Sequence, residues 1–173
     1  MFFVSWALKC MRFSYFSFYA KPKIPWNMKV KGELSERRAE LTLKHRMKIW
    51  RGKNRIMYFR NFTLVGRADF VSDDFVIEVK SNFNNMFFIP SLAQLNLYML
   101  MEGKDRGLLL MGNRVFEVER SDFIIKQSIS YFESLAKHIT EFRIPEKSEE
   151  YCYRCVFKEC CNGKPQILNR DIN

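Results

Sequence analysis

No phosphate-binding loop is present. The Gly-Lys pairs at 52, 103 and 163 are followed by Asn54, Asp105 and Pro165, not by Ser or Thr, and no Gly-x-Gly-x-x-Gly occurs. An ATP-driven motor and a dinucleotide-dependent enzyme are therefore unsupported. Repeats, low-complexity tracts and Gly/Ser linkers are also missing, so the 173 residues read as one domain with one core. Long apolar runs are absent too: the opening Met1–Leu8 stretch is interrupted at Lys9 and again at Arg12. It is too short for a span and lacks the basic-then-apolar order of a secretory signal. The expectation is a soluble, cytoplasmic protein with no membrane partner. Acid is scarce, with 19 Asp and Glu against 29 Lys and Arg. The net charge of +10 suits a polyanionic partner.

The chain is rich in large apolar side chains, with 17 Phe, 7 Tyr and 3 Trp, enough to offset chain entropy and build a core. A helix is predicted over about Gly32–Arg46, with Leu34, Leu41 and Leu43 at imperfect apolar spacing among many charges. A β-hairpin is predicted from Ile56–Phe70 and Phe75–Lys80, turning at Ser72-Asp73-Asp74. Pro90-Ser91 opens a helix stopped by Gly103. Leu108–Met111 and Val115–Val118 flank a Gly112-Asn113 turn, and Ser121 caps a helix reaching about Phe142 before Pro145. This order predicts a mixed α/β sheet covered by helices.

The most informative stretch is Gly66-Arg67-Ala68-Asp69 followed by Glu78-Val79-Lys80. A two-residue turn at Asp73-Asp74 makes antiparallel partners sum to 147 and sets Asp69 opposite Glu78. Glu78 and Lys80 then share one face while Ile77 and Val79 point to the other. Two facing carboxylates repel unless a cation sits between them, and a hard divalent ion such as Mg²⁺ or Mn²⁺ suits carboxylate oxygens. The alternative is a solvated mixed-charge patch, since Arg67 would face Lys80. A second Glu-x-Lys, Glu102-Gly103-Lys104, falls at a helix end with no facing acid. In the following helix, Gln94 and Tyr98 stack one turn apart.

Five cysteines stand at 10, 152, 155, 160 and 161. This odd, clustered set makes a poor disulfide framework and points to a metal or cluster site in a reducing compartment. Cys152, Cys155 and Cys161, with Cys10 as a fourth thiolate if the chain ends meet, suit either a zinc ion or an iron-sulfur cluster, with Cys160 an alternative to Cys161. From Lys44 to Arg60 the chain carries Lys44, Arg46, Lys48, Arg51, Lys53, Arg55 and Arg60 with no acid, interleaved with Trp50, Tyr58 and Phe59. Cations and rings in this mixture suit a single-stranded nucleic acid, the alternative being a solvated helix face and a charge-protected strand edge. Phe87, Phe88 and most N-terminal aromatics are expected in the core. His45 is expected to be a solvated helix residue.

Together these residues resemble the CRISPR-associated RecB-like exonucleases that carry an iron-sulfur cluster, a branch of the PD-(D/E)xK nuclease superfamily. The resemblance rests on Gly66-x-x-Asp69, Glu78-x-Lys80 and Gln94-x-x-x-Tyr98 in order, on Cys10-x-Arg12-x-x-Tyr15, and on the Cys152, Cys155, Cys161 spacing. It implies a restriction-endonuclease-like sheet over residues 1–173, with cluster-binding segments at about 1–31 and 145–173. It further implies a metal on Asp69, Glu78 and the Val79 carbonyl, completed by Glu36. Where the family commonly has Gly-x-x-x-His, this chain has Gly32-x-x-x-Glu36, a carboxylate that also suits a hard ion. Lys80 would orient the attacking water, and Gln94 and Tyr98 would position the strand or support the ligands. A 4Fe-4S cluster would sit on Cys10, Cys152, Cys155 and Cys161. The implied activity is hydrolysis of single-stranded DNA from the 5′ end, trimming fragments for CRISPR integrase proteins. The reading from a different class is a non-catalytic nucleic-acid-binding module with structural zinc.

Overall fold

A computed structural model describes residues 1–148, 152 and 155–162, the side chain of Cys160 excepted; the remainder of the expected 145–173 cluster segment lies outside the described residues. Strand β1 (Phe2–Phe3) leads through a 3₁₀ turn at Val4–Trp6 into helix α1 (Met11–Tyr19) and helix α2 (Trp26–Lys44). Strands β2 (Ile49–Arg51), β3 (Arg55–Tyr58), β4 (Thr63–Gly66), β5 (Phe70–Ser72) and β6 (Phe75–Lys80) follow. Helix α3 (Asn85–Glu102) crosses to β7 (Arg106–Met111), which turns into β8 (Arg114–Glu119). Helices α4 (Asp122–Thr140) and α5 (Lys158–Cys161) complete the order.

Two mixed sheets result. A five-stranded sheet runs β2-β5-β6-β7-β8, with β6 and β7 parallel and the other pairs antiparallel. A three-stranded sheet runs β1-β4-β3, with β1 parallel to β4. The larger core gathers Val4, Leu64, Val76, Leu95, Leu109 and Phe132, so the small sheet, α3 and α4 share one face of the large sheet. On the opposite face Ala39 and Leu43 of α2 close over Phe70, Ile77 and Leu108. The alternation of β6 thus sends even positions toward α3 and odd positions toward α2.

The expected β5–β6 hairpin has the predicted register, since Phe70 pairs with Ile77 and Val71 with Val76. Ser72 Oγ accepts from Phe75 N at 2.9 Å and from Asp74 N at 3.3 Å, which closes the two-residue turn. The Gly112-Asn113 hairpin also forms, with Gly112 at φ 62°, as does the Ser121 cap, whose Oγ accepts from Ile124 N at 3.4 Å.

Other expectations change. The single strand predicted over Ile56–Phe70 is instead the β3–β4 hairpin of the small sheet followed by β5 of the large one, because Arg60-Asn61 turns the chain, closed by Phe59 N donating to the Phe62 carbonyl at 2.9 Å, and Arg67–Asp69 carries it between sheets. Helix α3 begins at Asn85, capped by Asn84 Oδ1 on Met86 N at 3.0 Å, with Pro90 inside rather than at the start. Gly103 ends it at φ 63° as expected. Helix α2 starts at Trp26, after Pro25, and buries only Ala39 and Leu43, while Leu34 and Leu41 are exposed. Phe88 packs against Phe83 and Phe116, but Phe87 is exposed, contrary to the core expectation. His45 is exposed at the end of α2. Among the described residues no helix is long and apolar enough to cross a membrane.

Gly66 is where the small sheet meets α3. A Cβ there would lie 2.5 Å from Tyr98 Cε1 and 2.9 Å from Val4 Cγ2. Gly66→Ala should overpack this junction and cost about 1–3 kcal/mol, read from urea unfolding; a midpoint equal to wild type would show that the junction is not tightly packed.

Candidate metal and thiolate centres

Strand β6 lies between β5 and β7, at the centre of the large sheet, and carries Glu78 on the α3 face. Glu78 is only 2% exposed, so the reading of this hairpin as a solvated charge patch does not hold for it. Its Oε1 accepts from Lys80 Nζ at 2.6 Å, and its buried Oε2 has no hydrogen-bond partner among the described residues. Lys80 Nζ also donates to Gln94 Oε1 at 2.8 Å, and Gln94 Nε2 donates to Tyr98 OH at 3.1 Å. The one-turn spacing of Gln94 and Tyr98 on α3 aligns the two side chains into a relay beside the strand. Two of the three ammonium donors of Lys80 are thereby committed.

The β5–β6 ladder stops at Phe70, and beyond it Asp69 Oδ2 accepts from Val79 N at 2.7 Å. The Val79 side chain packs on the α2 side. The backbone around Asp69 is pinned from behind, where Gly52 packs so closely on the Ala68 carbonyl that a Cβ would overlap it. Asp69 and Glu78 act on each other across the shared niche. Burial first, then the Glu78 charge, pushes the Asp69 carboxyl up to about 8, against the Val79 N–H and Lys80. Burial likewise raises Glu78, opposed by the charge and hydrogen bond of Lys80. Burial works against a charged Lys80, but Glu78 and then Asp69 outweigh it and hold the ammonium above its ordinary value. Tyr98 is raised by burial and then by Glu78, and remains a phenol.

Glu36 overlooks this niche from α2, and its charge contributes to raising both Asp69 and Glu78. Its carboxylate is held by Arg51 Nη1 at 2.7 Å, while Arg51 Nη2 reaches Glu40 at 2.8 Å. Sequence reasoning did not foresee this bridge, which ties β2 to α2. The structure also adds Lys9, which the sequence reading treated only as a break in an apolar run. It lies near enough to Lys80 and Glu78 for their charges to act on it. Burial, then Lys80, lowers it to about 8, with Glu78 opposing. The signal for it was a lone cation among apolar residues immediately before Cys10.

The second Glu-x-Lys is structural. Glu102 receives a two-pronged bond from Arg55 at 2.9 and 2.6 Å, and Lys104 donates to the Asp73 carbonyl at 2.5 Å. Within the basic 44–60 stretch, Lys44, Arg51 and Arg55 are all spent on intramolecular ion pairs. Trp50 and Tyr58 are exposed, whereas Phe59 stacks on Phe62 at 4.6 Å.

The N-terminal segment meets the described residues of the C-terminal region. Arg12 Nε donates to the Pro145 carbonyl at 2.8 Å, and Phe157 packs against Phe13 and Phe16 at 5.6 and 5.7 Å. Cys10 and Cys155 line one cavity. The Cys161 thiol is raised first by burial and also by Cys155 and Cys10, with Arg12 opposing, so these three sulfurs lie within electrostatic reach of one another. Cys152 Sγ donates to the Ser148 carbonyl at 3.0 Å. Among the described residues no three His, Cys, Asp or Glu side chains already converge as a metal site. The donor chemistry nevertheless fits in both places: a buried carboxylate oxygen without a partner among the described residues, beside a second carboxylate, for a hard ion, and the Cys10, Cys155 and Cys161 thiols within electrostatic reach of one another for a soft one.

Neither a family model nor a curated protein matches the chain. Among solved structures, SSO0001, known from a crystal structure, is similar with a TM-score of 0.67 and 18% sequence identity, covering 95% of this chain and 86% of SSO0001. At that identity the likeness shows the fold alone. It agrees with a mixed α/β architecture of two mixed sheets and helices.

Asp69 sits near 8 when folded against about 4 when exposed in an unfolded chain. The folded state therefore binds more protons between those values, and its stability falls as pH rises from about 4 to about 8. Metal-free Asp69→Asn, which keeps an oxygen for Val79 N–H, should melt a few degrees above wild type at pH 8 and alongside it near pH 4. Mn²⁺ should raise the melting temperature of wild type more than that of the variant. Equal melting of the two proteins at pH 8 would argue against a compressed carboxylate pair.

Proposed function

We propose that this chain is a metal-dependent deoxyribonuclease of the PD-(D/E)xK type, an exonuclease acting on single-stranded DNA. The observation that carries this reading is Glu78: a desolvated carboxylate with one oxygen on Lys80, the other without a partner among the described residues, and a second carboxylate, Asp69, close enough for the two charges to act on each other. A purely structural site of this kind would be expected to satisfy or neutralise its buried oxygen.

Asp69, Glu78 and the Val79 carbonyl would hold Mg²⁺ or Mn²⁺, with Glu36 joining after release from Arg51. A divalent ion there supplies a water of lowered pKa and stabilises the charge developing on a phosphodiester. Lys80 is fixed by Glu78 and Gln94 with one N–H donor left for the attacking water or a phosphate oxygen. Gln94 holds that ammonium in place, and Tyr98 fixes the amide orientation of Gln94. A 4Fe-4S cluster on Cys10, Cys152, Cys155 and Cys161 would join the chain ends. The resemblance in the motifs supports a role in trimming DNA for CRISPR spacer acquisition.

Labelled single-stranded DNA should be degraded with Mg²⁺ or Mn²⁺ and not with EDTA. Asp69→Ala and Lys80→Ala should each lower the rate by roughly 100-fold or more. Degradation by both variants at the wild-type rate would overturn the assignment. Protein purified without oxygen should be brown and carry about four irons per chain, with Cys155→Ser losing the colour. A colourless protein with stoichiometric zinc would overturn the cluster and favour a structural zinc site.

A further inference from the structure

The small β1-β4-β3 sheet has one face on the core and one left to solvent. Strand alternation assigns the side chains to them. The row formed by Phe2, Leu64 and Met57 packs into the larger core. The rows on either side of it therefore point outward: Phe3, Val65 and Ile56 in one, Thr63 and Tyr58 in the other. Phe3 is 44% exposed, Ile56 55% and Tyr58 78%. The solvated face of such a sheet is ordinarily polar, whereas this one is apolar and aromatic, the pattern of an interaction surface. Buried Trp6 meets the Phe3 ring edge-on at 5.3 Å and holds it in place.

The charge around this face is one-sided. All three strands come from stretches without acid, since residues 1–32 and 41–68 contain no Asp or Glu. Lys53 and Arg67 stand at the end of the sheet where Arg55 pairs with Gly66, and Arg60 stands in the hairpin turn at the other end. All three are exposed and, among the described residues, make no ion pair, unlike Lys44, Arg51 and Arg55. The acid that reaches β3, Glu102, is already met by both prongs of Arg55. A second copy seated on the same face would set basic rim against basic rim, which disfavours self-docking and favours a polyanion. From Val65 the chain reaches Asp69 in four residues, at most about 14 Å, so one strand can lie on this face and enter the carboxylate niche.

We propose that the outer face of the β1-β4-β3 sheet is a base-stacking platform for single-stranded DNA, with Tyr58 and Phe3 beneath unpaired bases and Lys53, Arg60 and Arg67 on the phosphates. The proposal rests on the nuclease reading for the kind of ligand and deepens it by giving the strand a path to Asp69. Flat apolar groups joined by a chain of negative charges match rings bordered by cations. Paired bases keep their faces inside the duplex stack, so the platform selects unpaired strands before chemistry occurs. The sequence pointed to the whole 44–60 run. The structure withdraws Lys44, Arg51 and Arg55 into ion pairs and stacks Phe59 on Phe62, and it adds Phe3 from the start of the chain.

The test uses the full chain in metal-free buffer, with fluorescence anisotropy of a labelled oligothymidylate and of an abasic strand of equal length. Wild type should bind the base-bearing strand at least about fivefold more tightly. Tyr58→Ala should weaken that strand at least about fivefold and leave the abasic strand within about twofold, and Tyr58→Phe, which keeps the ring, should bind like wild type. Lys53→Ala/Arg60→Ala should weaken both strands alike and lower the salt slope by about 0.7 for each cation lost. A strand carrying 5-iodouracil should photocrosslink to a wild-type peptide that contains Tyr58. Equal binding of the two strands by wild type, a base preference that survives Tyr58→Ala, or a crosslink confined to other peptides would overturn the platform. Dimerisation of wild type in sedimentation, abolished by Tyr58→Ala while DNA binding is unchanged, would also overturn it and give the face to a second copy. The wild-type comparison and the crosslink need no variant to fold. Cleavage measured separately with Mn²⁺ keeps the two ideas apart: metal-dependent cutting without a base effect sinks the platform alone, whereas ring-dependent binding without cutting sinks the nuclease reading.

Discussion

A carboxylate buried in the middle of a sheet is expensive, and among the described residues Glu78 is kept there with only one of its two oxygens bonded. Taking an ion pair such as Glu78–Lys80 out of water costs several kcal/mol per ion before the attraction returns part of it. The surrounding fold is arranged to meet that cost. Central strand β6 delivers Glu78 and Lys80 to one face, and the crossover through α3 brings Gln94 and Tyr98 to the same face at one-turn spacing. Gly66 lets α3 approach closely enough for Tyr98 to reach. Remove the charge pair from this account and the close packing at Gly66 and the buried Gln94 amide have no polar purpose.

The N-terminal segment is built into the same arrangement. Val4 is fully buried in the larger core, β1 adds a parallel strand to the small sheet, and the chain then brings Lys9 within electrostatic reach of Glu78 and Lys80, and Cys10 within electrostatic reach of Cys161. One peptide bond separates the two. Whatever fixes Cys10 therefore also fixes the backbone that carries Lys9. On the proposed reading, the thiolate centre reaches beyond joining the chain ends: it sets the position of a cation that serves the carboxylate niche.

How much of this could be read from the sequence depended on how local each signal was. The β5–β6 register followed from a two-residue turn and alternation alone, and Ser121, Gly103 and Gly112 marked their element ends through capping and backbone conformation. Non-local arrangements were not legible. The division of Ile56–Phe70 between two sheets depends on β1 arriving from the far end of the chain to pair with β4. Helix α2 has too few apolar residues for periodicity to set its buried face, and of its leucines Leu43 is buried while Leu34 and Leu41 are exposed. At the site, Asp69, Glu78, Lys80, Gln94 and Tyr98 were all legible as candidates because each lies in a short ordered motif. Lys9 and Arg51 were not, since each reaches the site region only through the tertiary fold.

Arg51 bears on how the Glu at position 36 would work. Its guanidinium spans Glu36 and Glu40 and also lies over the Phe70 ring at 4.6 Å. The bridge is solvated, with Arg51 about half exposed and Glu36 a third exposed. Ion pairs of that kind contribute little to stability because water and salt screen them. A divalent cation in the niche would present twice the charge to Glu36, in a less hydrated setting next to two buried carboxylates. On the proposed reading, exchange of Arg51 for the ion at Glu36 would be favoured electrostatically, and Arg51 would keep Glu40 and the Phe70 ring as partners. The bridge pairs the Glu36 carboxylate with Arg51 at a solvated site, where release costs little.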